Sequence, residues 1–404
     1  SQVIIQGKAV NELEAKNFAS IKPMAFEAVL DSYHQLREEY DLVLIEGAGS
    51  PAEVNLRKGD IANMGFAEAV DCPVILIGDI DKGGIFAHLT GTVNLLSESE
   101  QARIKGFVIN KFRGQIKLLQ PGIDWLTDHS NKPTLGVLPY LMDLKLDAED
   151  AVNHDAVAHT GQIKIKVPVL SRISNHTDFD PLKWHPNVDL EFVPQGQSLQ
   201  GADLIILPGS KNIRQDCELL KTQGWDVQIK QHLRYGGKLF GICGGYQMLG
   251  ARLDDPQGIE GPAGCSDGLD LLDFVTLLEP EKQLKQASGQ FNFGGIYGAI
   301  TGYEIHCGVS KGAALTKSFA MISDQFGASY PDGVVSDDGQ IMGSYLHGLF
   351  EQQETLAAIL EWVSGLSITV QNWAEIRESE LERFADCLEA NLDMDAIERI
   401  IADS

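Results

Sequence analysis

The sequence predicts an α/β chain of two parallel-sheet domains followed by a helical C-terminal tail. Three observations predict it. Short, continuously apolar runs recur along the chain: Leu42-Val43-Leu44-Ile45, Val74-Ile75-Leu76-Ile77 and Phe107-Val108-Ile109, then Leu204-Ile205-Ile206-Leu207 and Leu239-Phe240-Gly241-Ile242. Stretches with helical spacing and charge lie between them, as at 24–40. A polar segment without a clear period, 147–162, divides the two sets. Apolar strands alternating with helices indicate a parallel sheet covered on both faces, and ligands of such sheets bind beyond the carboxyl ends of the strands.

Each element follows in order. Val3 to Ile5 reads as a short strand. The strand at 42–45 ends in Glu46-Gly47-Ala48-Gly49, the one at 74–77 in Gly78-Asp79, and the one at 107–109 in Asn110-Lys111. A fourth, from Thr134, stops at Pro139. Beyond the linker, residues 163–167 alternate, Leu207 runs into Pro208-Gly209-Ser210, Ile242 into Cys243, and a strand from Ile341 to Leu346 into His347. From Trp373 to Ile401, apolar residues at Leu381, Phe384, Leu388 and Leu392 lie between acidic ones, which marks an amphipathic helical segment. The expected domains are 1–146 and 163–364, with a tail at 365–404.

Bulk properties narrow the function. A chain of 404 residues suits two domains with an extra segment. The formal net charge of −25 argues against a nucleic-acid partner, which needs a basic face. No run is long and apolar enough for a membrane span, and no basic segment followed by an apolar one marks a signal peptide. The six cysteines are scattered without a CxxC pair, so the expected setting is reduced and cytoplasmic.

The segment Ile242-Cys243-Gly244-Gly245-Tyr246-Gln247 carries the chemistry. A residue at a sharp strand-to-helix turn is forced into a strained backbone, and small neighbours let the turn close. The N–H groups opening the following helix favour thiolate over thiol, and that of Gly244 is placed to donate to an oxyanion. A second donor is expected in the loop after Leu207, at Gly209. A thiolate nucleophile wants a histidine to carry its proton, and among ten histidines His347 fits best, after a strand and before a glycine. Glu304 and His306, in Gly302-Tyr303-Glu304-Ile305-His306, form another polar cluster. The sequence leaves open whether it lines the site, lines an interface or is a hydrogen-bonded turn.

These motifs resemble the corrin-amidating family of class I glutamine amidotransferases, and within it the cobyric acid synthases. The likeness rests on G-I-C-G-G-Y-Q-M-L-G around Cys243, L-P-G-S-K-N at 207–212 and Y-L-H-G-L-F at 345–350. In the first domain it rests on E-G-A-G-S-P-A-E-V-N-L at 46–56, N-M-G-F-A-E-A at 63–69, D-I-D-K-G-G-I-F-A at 79–87 and N-K-F-R-G at 110–114, and in the tail on L-D-M-D-A-I at 392–397. The resemblance implies a dethiobiotin-synthetase-like P-loop domain before a class I amidotransferase domain. It implies that Cys243 attacks the side-chain amide of glutamine and that His347 is base and then acid. Many class I members carry a Glu two residues after the histidine; here that position is Leu349, so a Cys–His pair is the expected machinery. It further implies ATP and magnesium as co-substrate and metal, with Glu46 facing magnesium, Asp79 a weaker candidate, Asn110 facing adenine and Lys82 facing substrate or phosphate. The implied reaction is amidation of the b, d, e and g carboxylates of adenosyl-cobyrinic acid a,c-diamide. The a,c-diamide synthases one stage earlier and a non-catalytic corrinoid- or nucleotide-binding regulator stay open. No tightly bound cofactor is expected, and a homo-oligomer is possible.

The family's G-x-x-x-x-G-K-[ST] phosphate loop is missing from this chain. Because the other motifs of that domain are present, the sequence reads as a truncated synthetase, and weakened ATP binding is expected.

Overall fold

The computed structural model describes residues 4–9, 18–146 and 162–403. Val3 and all but the last residue of the expected linker lie outside them. The chain divides into two compact units, one made of 1–144 with 382–404 and one of 145–381. The segment expected as a tail is therefore shared between them.

In the first unit, β1 (Ile4–Ile5) and β2 (Lys8–Ala9) pair antiparallel. There follow α1 (Phe18–Glu39), α2 (Met64–Ala69), β3 (Val74–Asp79), α3 (Ile85–Leu95), α4 (Glu98–Arg103), β4 (Ile104–Phe112), α5 (Ile116–Ser130) and β5 (Thr134–Pro139). α4 starts where its sequence says it should: Ser97 and Glu100 form a reciprocal capping box that satisfies two end N–H groups. β3, β4 and β5 make a parallel sheet. Side chains alternate along β4. Phe107 and Ile109 face Leu89 and Leu126 of the helices, while Val108 faces a cluster with Leu135, Leu138, Leu388 and Leu392.

One strand expected from the sequence is not there. Residues 42–48 are irregular, and Leu44 is 85% exposed. An apolar run becomes a strand only when a neighbour takes up its N–H and C=O groups. Among the described residues nothing pairs with 42–45, and β3 ends the sheet with Ile77 62% exposed.

The second unit is built on a six-stranded sheet. Its elements begin with β6 (Ile163–Pro168), β7 (Ile173–Ser174), a 3-10 turn at His176–Phe179, α6 (Asp180–Lys183), β8 (Val188–Val193), β9 (Leu204–Leu207) and β10 (Gly209–Ser210). Then come α7 (Ile213–Thr222), α8 (Trp225–Arg234), β11 (Lys238–Ile242), α9 (Gly244–Met248), β12 (Gly250–Asp255) and β13 (Gly264–Asp267). A long hairpin, β14 (Leu272–Phe293) and β15 (Ile296–Lys311), is followed by β16 (Ala320–Asp324), β17 (Ser329–Asp332), β18 (Val334–Val335), β19 (Ile341–Ser344) and β20 (Leu346–His347). α10 (Gln353–Ser364) and α11 (Trp373–Asn391) come next, and α12 (Met394–Ala402) closes the chain.

The sheet order is β18-β19-β11-β9-β6-β8, parallel except for β18. Its central strands are apolar on both faces because both are covered. Leu204, Ile206, Phe240 and Ile242 join one core; Ile205, Leu207 and Leu239 join the other with Trp225 and Ile229. Each such side chain, removed from water, contributes about 1.5–3 kcal/mol. A second sheet runs β13-β12-β14-β15-β20, with β16 paired to β14 and β17 to β16. The sequence shows one strand from Ile341 to Leu346. The structure splits it at Tyr345: β19 belongs to the six-stranded sheet and β20 pairs antiparallel with β15 of the second.

Candidate active site

Cys243 stands at the carboxyl end of β11 with φ 48° and ψ −106°, a backbone that a side chain rarely adopts. Such strain costs about 1–3 kcal/mol and persists only where the surroundings enforce it. Here they do. A Cβ on Gly245 would lie 2.1 Å from the carbonyl oxygen of Leu207, so the chain can fold back against β9 only with glycine there. The Cys243 N–H is held by the carbonyl of Ser344, at 2.8 Å. The helix that follows, α9, has five residues, so its field at the sulfur is that of a single turn.

His347, at the end of β20, reaches the same place. It is 1% exposed. Its Nδ1 lies 2.6 Å from Oδ2 of Asp178, while Oδ1 of Asp178 accepts the Gly348 N–H at 2.8 Å. Asp178, itself 4% exposed, sits in the 3-10 turn that follows β7. The other imidazole nitrogen, Nε2, is buried and makes no well-aligned hydrogen bond; the Cys243 thiol is the group beside it. Burial by itself would lower the imidazole pKa. Asp178 and Cys243, through contact and charge, outweigh it and raise it from 6.5 to about 10.

Two glycines close the pocket. A Cβ on Gly209 would come 3.0 Å from Cε1 of His347 and 2.4 Å from Oγ of Ser174. One on Gly244 would come 2.8 Å from the Ser210 nitrogen. Gly209, Gly244, Cys243 and His347, far apart in sequence, are therefore brought together. Asp178 was not apparent from sequence, where only Leu349 was considered as a third position. Its local signal is weak: it stands in the polar run Asn175-His176-Thr177-Asp178, after the two-residue β7 and ten residues beyond the end of β6.

Glu304 and His306 stand on β15 against this pocket. Tyr303 pairs with His347 in the ladder, its ring stacked on the imidazole at 5.4 Å. The carbonyl of Ile305 accepts from the Cys243 thiol at 3.8 Å. The strand lines the site through Tyr303 and the Ile305 carbonyl, while the side chains of Glu304 and His306 bond to Tyr330, to the Gly308 carbonyl and to each other.

The first unit's candidates are less assembled. Asp79, the last residue of β3, pairs in register with Asn110, which lies inside β4, a strand that continues to Phe112. Asp79 is joined to Lys111 Nζ at 2.9 Å. Burial would raise its pKa, but the Lys111 bond and charge and the Asp81 N–H hold it below the usual carboxylate range. The Asn110 Oδ1 accepts the Lys111 N–H. Lys82 is exposed in the turn before α3, and Glu46 is exposed on the irregular segment after 45. No hydrogen bond or ion pair joins Glu46 to Asp79, Lys82 or Asn110 among the described residues, and no group of three or more His, Cys, Asp or Glu among them is arranged to hold a metal.

With this geometry in view, comparison with known families decides the second unit. Residues 164–355 match the model of the CobB/CobQ-like glutamine amidotransferase domain. The second unit carries a CobB/CobQ-like glutamine amidotransferase domain. Residues 10–180 match an AAA domain, a match whose last part runs into β6 and the turn bearing Asp178. The amidotransferase domain is thus preceded by an AAA-type α/β domain. Solved structures with some likeness include PurLQS from Thermotoga maritima (16% identity, TM-score 0.34, covering 55% of this chain and 99% of that one). A glutamine amidotransferase gives 18% identity and a TM-score of 0.37, covering 50% and 99%. No described helix is long and apolar enough to cross a membrane.

Proposed function

We propose that the chain belongs to an ATP- and glutamine-dependent amido-ligase that converts the b, d, e and g carboxylates of adenosyl-cobyrinic acid a,c-diamide to amides, with Cys243, His347 and Asp178 producing the ammonia. The observation that carries the reading is the meeting of a strained Cys243 with a buried imidazole whose far nitrogen is held by a carboxylate.

In this reading His347 takes the thiol proton, and the resulting thiolate attacks the carboxamide carbon of glutamine. Backbone N–H groups of Gly244 and of the Gly209 loop donate to the developing oxyanion. The C–N bond breaks as His347 returns its proton to the leaving nitrogen, which departs as ammonia. Water, deprotonated by the same imidazole, then cleaves the thioester to glutamate and restores the thiol. Asp178 orients the ring and balances its positive charge in each transfer. The Leu349 position needs no carboxylate, since Asp178 fills that role from another element.

The AAA match supports nucleotide use in the first unit; by the resemblance Glu46 would face magnesium, with Asp79 a weaker candidate, Asn110 would face adenine and Lys82 substrate or phosphate. The described residues do not bring these groups into one ligand set, so no step of acid activation is assigned to them.

The test is a paired assay on this chain with cobyrinic acid a,c-diamide, glutamine, ATP and magnesium. The expected result is glutamate release that Cys243→Ser abolishes. Stepwise mass changes of carboxylate-to-amide exchange establish the ligase. Glutamate release without corrin amidation leaves the glutaminase reading standing and removes the substrate assignment for this chain. Unaltered glutamate release in Cys243→Ser overturns both.

A further inference from the structure

The ladder support of β15 ends just beyond the point where the strand meets the nucleophile. β20 pairs only with Tyr303 and Glu304. On the other edge the β14 ladder breaks: Gln283 pairs with His306 and Leu278 with Gly308, so four residues of β14 loop out opposite Cys307. Ile305, whose carbonyl lies 3.8 Å from the Cys243 sulfur, still pairs with Leu284 of β14 and is the first residue past the β20 pairing.

Two buried side chains on the same side of the strand flank that carbonyl. The Glu304 Oε2 accepts the Tyr330 hydroxyl at 2.5 Å, and its Oε1 lies 3.7 Å from Nε2 of His306. Burial would raise the Glu304 pKa; contact with His306 and Tyr330 brings it below the usual range. His306 Nδ1 is 2.8 Å from the Gly308 carbonyl, and its ring stacks on Tyr345 at 3.8 Å. The Tyr345 hydroxyl is held in turn by Ser310 and Gln247. Nε2 of His306 is buried with no hydrogen-bond partner, facing only the carboxylate at ion-pair distance. These are costly groups to bury, and their common effect is to clamp the backbone on both sides of Ile305.

We propose that Glu304 and His306 are positioning residues that hold the Ile305 carbonyl as an acceptor for the N–H of the substrate's carboxamide. With glutamine bound, the carbonyl takes one N–H of the leaving nitrogen and turns its lone pair toward His347 Nε2, from which the proton comes. The inference rests on the glutaminase reading above. It makes a demand that a purely structural role does not: the effect must depend on the substrate having an N–H at the scissile bond.

The experiment compares glutamine with glutamic acid γ-methyl ester, whose leaving oxygen carries no hydrogen. For His306→Ala and Glu304→Ala, kcat/KM for glutamine is expected to fall about tenfold or more, the effect of one lost hydrogen bond with its partner left exposed to a poorer geometry. With the ester the fall is expected to stay below about twofold. Glu304→Gln keeps an acceptor for Tyr330 and should restore most of the amide activity. If either alanine variant fails to fold, Tyr330→Phe, which removes one anchor outside the chemistry, should show the same amide-selective loss at smaller size. Equal losses on both substrates, or none on glutamine, overturn the inference. A wild-type protein that cleaves neither compound overturns the glutaminase reading itself.

Discussion

Asp178 and His347 are separated by 169 positions in the chain and by 2.6 Å in the fold. One carboxylate oxygen meets Nδ1 of the imidazole and the other the N–H of the next residue, Gly348. The ring therefore has one orientation, with Nε2 toward Cys243.

Asp178→Asn is expected to lower glutamate release by about a hundredfold or more, because the imidazole loses its orienting charge. The same change should move the His347 titration down from about 10, which NMR of the imidazole would follow. The sign for stability follows from the raised pKa. The pair's contribution is fully present below the ordinary value of 6.5 and is lost as pH rises through about 10. The stability gap between wild type and Asp178→Asn should thus be full at pH 6, shrink as pH rises from about 6.5 to about 10 and be lost above that; a gap that widens over this range contradicts the assignment.

The positive φ of Cys243 predicts an ordering of variants. Cys243→Gly and Cys243→Ala both lose activity, but glycine relieves the strained backbone. In denaturant unfolding, Cys243→Gly is expected to be more stable than Cys243→Ala by about 1 kcal/mol, net of glycine's greater freedom when unfolded.

Gly245→Ala places a methyl 2.1 Å from the Leu207 carbonyl, which is strand backbone and cannot give way cheaply. A loss of about 1–3 kcal/mol is expected, read as a lower melting temperature, with slower glutamate release as the elbow shifts. Gly237→Ala, which meets only the side chain of His232, should cost less.

Asp332 is fully buried, bonded to the Ser344 hydroxyl and the Tyr345 N–H. Burial raises its pKa from 3.8 to about 6, with those two bonds opposing. An acid whose folded pKa is raised costs stability as pH climbs from about 4 to about 6. Relative to wild type, Asp332→Asn is therefore expected to gain melting temperature between pH 4 and pH 7. A difference independent of pH would show that the carboxylate titrates as an exposed one does.

Much of the amidotransferase half was legible in the residues. Apolar runs ending in Cys243 and His347 mark strand ends of a covered parallel sheet, and the glycines after Cys243 mark a turn that only glycine closes. Local rules suffice there because strand, turn and nucleophile are contiguous. The run at 42–45 shows their limit. Its pattern is that of a strand, yet pairing needs a neighbour that pattern cannot supply, and in the described structure none is present.

By itself the sequence determined two α/β domains and singled out Cys243 and His347 as the proposed nucleophile and histidine, because periodicity and elbow chemistry are properties of neighbouring residues. Only the tertiary structure decided that Asp178 meets His347, that the chain changes sheets at Tyr345, and that Glu304 and His306 flank the residue whose carbonyl faces the sulfur. Those are meetings of distant segments, set by which sheet edges and faces are free to pair and pack, and no local pattern carries that information.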